Sequence, residues 1–400
     1  MVKKMAVQRT RRIVSAAAVL GGKMSKATIR LAITNVLMDG DYTGTIYVGS
    51  QKKPVNVIFD TGSSTLAIDG TVYDATKDAT ATITDIAQEV GYADGSSWMG
   101  AVVMTNVTAG KVVLTKTQAA VAYHSSGNMF GKSSGILGLA YTRLNNAFTM
   151  PGPTIPPKYT YNQIQSGKVT YVEPYFTQLE SAGLVANKFA FYTRRSMVNM
   201  ATGNPATDLL NNGYLILGGG EEQTDLYTGS FQVARVVHDL YYDTNLKSIT
   251  VGNSAPIVVS PPTKASGDNS NSVVDSGTNG IYLEQNLFKA IVAKLSAADQ
   301  DSLRAGYVPM SKLDLPSWPS ITFTLEGALG NDVNLVVTPD CYWQTNAPKP
   351  GYASAVLYSQ SDSQAILGLP LMNGYYTVFD RSVDKGLGVV SFATMNPNAK

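Results

Sequence analysis

A chain of 400 residues with a formal net charge of +2 is long enough for two lobes, each with its own core. Only 15% of the residues are charged, and 36 glycines and 22 tyrosines stand among many Val, Thr and Ile, which is typical of an all-β protein with many turns. The nearly neutral charge gives no reason to expect nucleic acid or a membrane surface as a partner.

The N-terminal residues 1–27 form a basic segment. Up to residue 38 the chain has eight Lys or Arg and no acidic side chain. The apolar stretch at residues 13–20 is short and rich in alanine, so a disordered basic tail is favoured over a targeting segment of the secretory type.

The first half of the chain is expected to be built from strands. A strand is predicted at residues 29–36, and residues 42–60 predict a hairpin that turns at residues 49–54. Alternating residues at 82–90 and 99–107 flank Asp94-Gly95 and predict a second hairpin. Less regular patterns predict surface loops at residues 141–171 and 195–213. They also predict helices at residues 174–184 and 283–295 and a late strand at residues 315–323.

Two copies of one short motif carry the functional signal. Asp60 opens the sequence Asp-Thr-Gly-Ser-Ser, and Asp275 opens the sequence Asp-Ser-Gly-Thr. Each follows an apolar, β-branched run that predicts a buried strand, so each carboxylate is expected at the end of a strand. An Ile-Leu-Gly triplet follows each motif, at residues 136–138 and 366–368. The same two markers in the same order indicate an internal duplication.

Two related halves are most simply arranged about a pseudo-two-fold axis, which would bring Asp60 and Asp275 face to face. Two close carboxylates share a proton because both cannot ionise cheaply, so one can act as a base and the other as an acid. Such a pair can polarise a water molecule and donate a proton to a substrate carbonyl. The motifs therefore predict hydrolysis of an amide without a metal or a covalent intermediate.

From about Thr28 to Ala393 the sequence resembles the pepsin-like (A1) aspartic endopeptidases, for which a shared-proton dyad is well known. The two Asp motifs match the active-site loops of that family, and the triplets match the segments beneath them. Residues 91–97 resemble the flap hairpin, and residues 375–381 resemble the segment after the second triplet. The resemblance implies a bilobal all-β fold with a central cleft. It would divide the chain into an N-terminal lobe with the flap and a C-terminal lobe, residues 28–225 and 226–400.

The resemblance also implies roles for individual residues. Asp60 and Asp275 would be the catalytic pair. The hydroxyls of four residues would orient the pair, namely Thr61, Ser63, Ser276 and Thr278. Substrate contacts would come from Gly62, Tyr92, Asp94, Gly95, Tyr241 and Gly277.

One position departs from the family pattern. After the first active-site loop the family usually has a tryptophan that hydrogen-bonds the flap tyrosine, and this chain has Ala67 there. Tyr92 therefore lacks its usual anchor. Trp98 is close to it in sequence, but the sequence does not show whether its side chain takes that role.

Other classes of catalytic site have little support. His124 and His238 are the only histidines, and neither lies near a Gly-x-Ser-x-Gly elbow or near the single cysteine, Cys341. These residues offer no pair of metal ligands, so no metal or cofactor is expected. Because one chain carries both Asp motifs, a monomer is expected.

A protein of this fold that binds peptides without cutting them remains the alternative function. An idle site would be free to lose either carboxylate or the hydroxyls beside them. Asp60, Asp275 and all four hydroxyls are present, so the enzyme is favoured.

The resemblance implies an endopeptidase that holds an extended peptide or protein substrate and prefers bulky apolar residues at the scissile bond. It also implies greatest activity in acid and inhibition by pepstatin. A short inhibitory prosegment would then be a further interpretation of the basic segment. The lone Cys341 excludes an intrachain disulfide and favours a reducing, cytoplasmic location, with a secreted or periplasmic location as the alternative. The missing disulfides also suggest a bacterial homologue.

Overall fold

Strand β1 (Ile29–Met38) begins the regular structure, and its buried residues alternate with exposed or half-buried ones. The computed structural model describes residues 26–127, 129–262 and 270–399. The expected basic segment at residues 1–27 lies almost wholly outside these ranges.

Within the described ranges, the N-terminal half contains eleven further strands and two short helices. The helices are α1 (Tyr161–Gln165) and α2 (Tyr175–Ser181). The strands are β2 (Asp41–Val48), β3 (Lys53–Asp60), β4 (Leu66–Asp69), β5 (Thr82–Gly91), β6 (Ser97–Ala109), β7 (Val112–Ser126), β8 (Gly135–Gly138), β9 (Asn146–Thr149), β10 (Lys168–Tyr171), β11 (Lys188–Tyr192) and β12 (Asn212–Leu217).

The C-terminal half repeats this dominance of strands. Its helices are α3 (Gln285–Val292), α4 (Ala297–Ala305), α5 (Pro339–Tyr342) and α6 (Leu369–Met372). Its strands are β13 (Tyr227–Arg235), β14 (Asp243–Thr244), β15 (Leu246–Val251), β16 (Ile257–Val258), β17 (Ser272–Val274), β18 (Ile281–Glu284), β19 (Tyr307–Pro309), β20 (Ile321–Leu325), β21 (Val333–Val337), β22 (Trp343–Thr345), β23 (Tyr352–Ala355), β24 (Leu357–Gln360), β25 (Ala365–Leu367), β26 (Tyr375–Asp380) and β27 (Val389–Met395). The predicted all-β fold is confirmed.

Fifteen of these strands form one sheet, in the order β10-β9-β5-β6-β7-β4-β8-β3-β2-β1-β12-β11-β26-β27-β13. The last three strands in this order come from the second half of the chain, and the first of them, β26, pairs with β11. The predicted lobe boundary near residue 225 falls between β12 and β13, inside this sheet. The division into two lobes therefore stays a prediction, while the sheet itself joins the two halves.

Smaller sheets complete the second half. They are a five-stranded sheet (β14-β17-β25-β18-β24), a four-stranded sheet (β16-β15-β20-β21) and a three-stranded sheet (β19-β23-β22). The five-stranded sheet contains β17, the strand that leads into Asp275. Its pairing of β17 with β25 is parallel, as is the pairing of β3 with β8 in the large sheet.

An aromatic cluster joins the two halves in the core. The rings of Phe189 and Phe379 stack with centroids 4.9 Å apart, and Tyr242 meets Phe379 edge-on at 4.6 Å. The phenol of Tyr242 also donates to the carbonyl of Leu139 (2.9 Å), whose own N–H donates to the carbonyl of Asp60 (2.7 Å). Fully burying a ring of this size stabilises a fold by about 1.5–3 kcal/mol, so the cluster supports both halves at once.

Three local expectations differ from the structure. The expected helix at residues 283–295 begins only at Gln285, because Leu283 belongs to β18 and pairs with Ser359 of β24. The expected strand at residues 315–323 begins at Ile321, because Pro316 and Pro319 lack the N–H groups that a ladder uses. The expected loop at residues 141–171 contains β9, α1 and β10.

Candidate active site

Parallel strand pairs carry the two Asp loops. In the first half, β3 runs beside β8 and Asp60 pairs with Gly138. In the second half, β17 runs beside β25, and the N–H of Asp275 donates to the carbonyl of Leu367 (3.2 Å). The Ile-Leu-Gly triplets thus lie directly beneath the loops.

The glycine that ends each triplet is packed against the loop above it. A Cβ atom added to Gly138 would lie 2.4 Å from the backbone nitrogen of Ser64, and one added to Gly368 would lie 2.3 Å from the carbonyl oxygen of Thr278. No side chain fits in either place without moving the backbone of a loop. This explains why both triplets end in glycine.

The two loops are held together by reciprocal hydrogen bonds between Thr61 and Ser276. The Thr61 hydroxyl accepts from the N–H of Ser276 (2.8 Å) and donates to the carbonyl of Val274 (3.0 Å). The Ser276 hydroxyl accepts from the N–H of Thr61 (3.0 Å) and donates to the carbonyl of Phe59 (2.8 Å). All four bonds are buried, so they fix one loop against the other.

The loop glycines show how closely each carboxylate approaches the opposite loop. A Cβ atom on Gly62 would lie 2.7 Å from Oδ1 of Asp275, and one on Gly277 would lie 2.3 Å from Oδ1 of Asp60. Each carboxylate therefore rests on the glycine of the opposite loop. The structure brings Asp60 and Asp275 together, with 7% and 9% of their surfaces exposed.

The hydrogen bonds to the two carboxylates are unequal. Asp275 accepts from the N–H of Gly277 (2.9 Å) and from the hydroxyl of Thr278 (2.6 Å). Asp60 accepts from the N–H of Gly62 (2.7 Å). Within the described part of the chain the buried hydroxyl of Ser63 has no well-aligned hydrogen-bond partner, although it faces the same carboxylate. The expected pair of orienting hydroxyls is therefore well formed only at Thr278.

Burial raises the pKa of Asp60 well above the usual range of a carboxyl group, and the negative charge of Asp275 raises it further. The Ser63 hydroxyl and the N–H of Gly62 act in the opposite direction, because they stabilise the ionised carboxylate. Burial and the second charge outweigh them. The pair can therefore hold one proton at a pH where an isolated aspartate has lost it.

The flap hairpin consists of β5, β6 and the turn between them. The turn is closed by hydrogen bonds from the N–H of Tyr92 to the carbonyl of Ser96 (2.9 Å) and from the N–H of Gly95 to the carbonyl of Tyr92 (3.0 Å). Asp94 caps the turn through its carboxylate, which accepts from both the N–H and the hydroxyl of Ser96. Gly95 has a φ of +84°, a left-handed conformation that suits glycine at this turn.

Tyr92 lies over the first loop. Burial raises the pKa of its phenol, and the charge of Asp60 contributes in the same direction. The phenol oxygen accepts a hydrogen bond from Nε1 of Trp98 (3.2 Å). The sequence places Trp98 near Tyr92 but does not show this contact, because it depends on the register of β5 and β6.

Tyr241 is connected to the second loop through the backbone. Its side chain is half-buried, and its N–H donates to the carboxylate of Asp243 (3.1 Å). The carbonyl of the next residue, Tyr242, accepts from the N–H of Val274 (3.1 Å), just before Asp275. The expected role of Tyr241 toward substrate stays a prediction.

The described ranges contain no group of side chains suited to a metal ion. Among residues 26–127, 129–262 and 270–399, no three or more His, Cys, Asp or Glu side chains are grouped so that they could hold one.

Comparison with known proteins gives a match over nearly the whole chain. The family model described as eukaryotic aspartyl protease matches residues 41–394. Cathepsin D of Chionodraco hamatus is 26% identical over 368 residues, which cover 87% of this chain and 80% of that protein. Pepsin B of Canis lupus familiaris is 25% identical over 368 residues (88% and 81%), and pepsin A of Sus scrofa is 25% identical over 371 residues (88% and 82%).

Proposed function

Because the chain belongs to the eukaryotic aspartyl protease family, we propose that it is an aspartic endopeptidase that uses Asp60 and Asp275 as its catalytic pair. The observation that carries this proposal is the position of each carboxylate on the glycine of the opposite loop. Two carboxyl groups held this close share one proton, which supplies an acid and a base in one site.

The unequal hydrogen bonds suggest how the proton is shared. Asp275 accepts two hydrogen bonds, from Gly277 and Thr278, and so is the better place for the negative charge. Asp60 accepts one such bond, from the N–H of Gly62, and so is the better place for the proton. A water molecule between them would lose a proton to Asp275 as its oxygen attacks the carbonyl carbon of the peptide bond.

The same step would place the developing negative charge on the carbonyl oxygen, next to the proton of Asp60. Collapse of the tetrahedral intermediate then breaks the C–N bond, and the leaving nitrogen takes a proton from the dyad. Atoms and protons balance without a metal or a covalent enzyme intermediate. The residues Thr61, Ser63, Ser276 and Thr278 would hold the dyad in the required geometry.

An extended peptide would lie between the dyad and the flap. The backbone at Asp94 and Gly95 would offer hydrogen bonds to the peptide, as in recognition by strand addition, while side-chain pockets set the choice of sequence. Gly62, Gly277, Tyr92 and Tyr241 would line this space. We propose bulky apolar residues on both sides of the scissile bond, greatest activity in acid, inhibition by pepstatin and a monomeric enzyme.

The location of the protein in the cell and the kind of organism it comes from do not follow from the site. The comparisons give no support to the cytoplasmic location expected from Cys341, so we propose the alternative, a secreted or periplasmic protein. No helix in the described ranges has the length and apolar character needed to span a membrane. Since the matching family model is that of eukaryotic proteins, the bacterial origin stays a prediction.

The test is cleavage of a fluorogenic peptide with two bulky apolar residues at its centre, from acid to neutral pH, with and without pepstatin. We expect pepstatin-sensitive cleavage that is lost in Asp60→Asn and in Asp275→Asn. Asp301→Asn is the matched control, because the Asp301 side chain is 84% exposed. Full activity in either dyad variant would refute the mechanism. A folded protein that binds pepstatin but cleaves nothing would instead support the peptide-binding alternative.

A further inference from the structure

A buried cluster lies at the root of the flap hairpin, and we call it the flap-root cluster. It consists of Ile58, Ala67, Trp98, Ala120, Ala122, Met129, Phe130 and Ile136. The partly buried side chains of Met38, Val90 and Tyr92 pack against it. The cluster therefore joins the flap to the strands that carry the first active-site loop.

Trp98 is the largest member of the flap-root cluster and is 2% exposed. It lies on β6, opposite Val90 of β5, while Tyr92 lies just beyond the end of β5. Its indole Nε1 donates to the phenol oxygen of Tyr92 at 3.2 Å. The bond fixes the position of the phenol oxygen on the side of the flap that faces Asp60.

Ala67 provides the space that the indole occupies. It lies on β4, between Ala120 of β7 and Ile136 of β8, and is fully buried. Ala67, Ala120 and Ala122 are all small, which leaves room in the cluster for one indole in addition to the ring of Phe130. A second indole at position 67 would overfill this space, since extra volume in a packed core costs about 1–3 kcal/mol or more.

We propose that Trp98 is the positioning residue for Tyr92, and that the small side chain of Ala67 makes this arrangement possible. Tyr92 would thus keep an indole as its hydrogen-bond donor, although the position on β4 where the family usually has a tryptophan is occupied by Ala67. This inference rests on the proposed peptidase function for its kinetic consequences, but the contact itself does not.

The position of the donor has a mechanical consequence. Trp98 and Tyr92 are six residues apart on one hairpin. A donor on β4 would be separated from the tyrosine whenever the flap lifts away from the sheet. A donor on β6 shares the hairpin with the tyrosine and is itself held in the flap-root cluster, so it ties the phenol to the rooted end of the flap.

The first test is a kinetic double-mutant cycle with Trp98→Phe and Tyr92→Phe. Each variant removes one partner of the hydrogen bond and keeps an aromatic ring. We expect each to lower kcat/KM about tenfold, and the double variant to be no worse than the poorer single one, because coupled residues are not additive. Trp318→Phe is the control, since it also removes a buried indole, 5% exposed, away from the flap. If the double variant loses kcat/KM by the product of the two single losses, the two residues act independently and the proposal is wrong.

The second test needs no enzymatic activity. The chain has three tryptophans, so ¹⁵N-labelled protein should give three indole signals by NMR. The signal that disappears in Trp98→Phe should move in Tyr92→Phe, and the signals of Trp318 and Trp343 should stay. An unmoved Trp98 signal would refute the contact even in a protein that cleaves peptides. A moved signal in a protein that cleaves nothing would uphold the contact and refute the peptidase.

The third test exchanges the two positions. Ala67→Trp alone should destabilise the protein, because the flap-root cluster has no room for a second indole. Adding Trp98→Ala should recover part of the stability and of the activity. If the double variant is as poor as the sum of the single variants, the two positions do not share one space and the proposed role of Ala67 is wrong.

Discussion

Thr61 and Ser276 exchange hydrogen bonds between hydroxyl and backbone N–H, at 2.8 and 3.0 Å, across the two halves of the chain. Each hydroxyl also donates to a carbonyl on the strand that leads into the opposite loop. Four buried backbone groups thus depend on two small side chains. The relative position of Asp60 and Asp275 follows from this exchange.

Thr61→Val should therefore damage both stability and activity. It keeps the shape of the side chain but leaves the N–H of Ser276 and the carbonyl of Val274 without their partners. An unsatisfied buried polar group costs about 1–3 kcal/mol, so we expect a loss in this range by urea denaturation and at least a tenfold lower kcat/KM. Thr61→Ser retains the hydroxyl and should remain close to wild type. Equal losses in both variants would show that the hydroxyl is not the cause.

Gly277→Ala tests the close approach of the two loops. The new Cβ atom would lie 2.3 Å from Oδ1 of Asp60, so the loop or the carboxylate must move. We expect activity to fall about a hundredfold, since misplacement of about 1 Å can cost that much. Gly203→Ala is the control, because a Cβ atom there meets nothing within 4 Å. Unchanged peptide cleavage in Gly277→Ala would contradict the geometry of the site.

The pH dependence of cleavage should reflect the raised pKa of Asp60. The acid role is lost as pH rises through that pKa, so the alkaline limb of kcat/KM should lie well above about pH 4, the usual carboxyl value. Ser63 lowers this pKa, and Ser63→Ala should move the limb to still higher pH. A limb near the usual carboxyl value in the wild type would show that the dyad is less buried in solution.

Asp41 makes the stability depend on pH. Burial raises its pKa well above the usual value, and the charges of Asp60 and Asp275 add to this effect. The folded chain keeps a proton that the unfolded chain loses above about pH 4, so stability falls as pH rises from there toward the folded pKa. Asp41→Asn removes this loss.

We therefore expect Asp41→Asn to melt several degrees above wild type at neutral pH and to match it near about pH 3, where both states bind the proton. Thermal melts at the two pH values measure the difference. Asp301→Asn, with an exposed side chain, should change neither melt. An equal gain at both pH values would mean that the effect of Asp41 is not a matter of its ionisation.

The sequence predicted the parts of the site that depend on local pattern. Asp60 and Asp275 each follow a buried strand, and each loop has a glycine and hydroxyls at the same positions. The sequence therefore indicates both the carboxylate pair and the duplication. The different environments of Ser63 and Thr278 could not be predicted, because equal positions in two motifs do not imply equal surroundings. In the structure Thr278 donates to Asp275, whereas the Ser63 hydroxyl has no well-aligned partner in the described part of the chain.

Longer-range contacts explain the other differences. The apolar run around Leu283 suits a helix or a strand, and its pairing with β24 decides in favour of a strand up to Glu284. The contact of Trp98 with Tyr92 required the register of β5 and β6 and the small volume of Ala67. In residues 141–171, Thr160 and Gln163 form a capping box at the start of α1, so the sequence of this expected loop does contain a signal for a helix.

The position of β26 in the large sheet makes the folding of the first half depend on strands from the end of the chain. This strand runs antiparallel to β11, with Lys188 opposite Asp380 at one end and Tyr192 opposite Tyr376 at the other. On its other side β26 pairs with β27. A fragment that stops near residue 225 would leave β11 with an open edge, flanked by the apolar rings of Phe189 and Phe191. Open apolar edges invite aggregation, so the first half needs the last strands of the chain before it is protected.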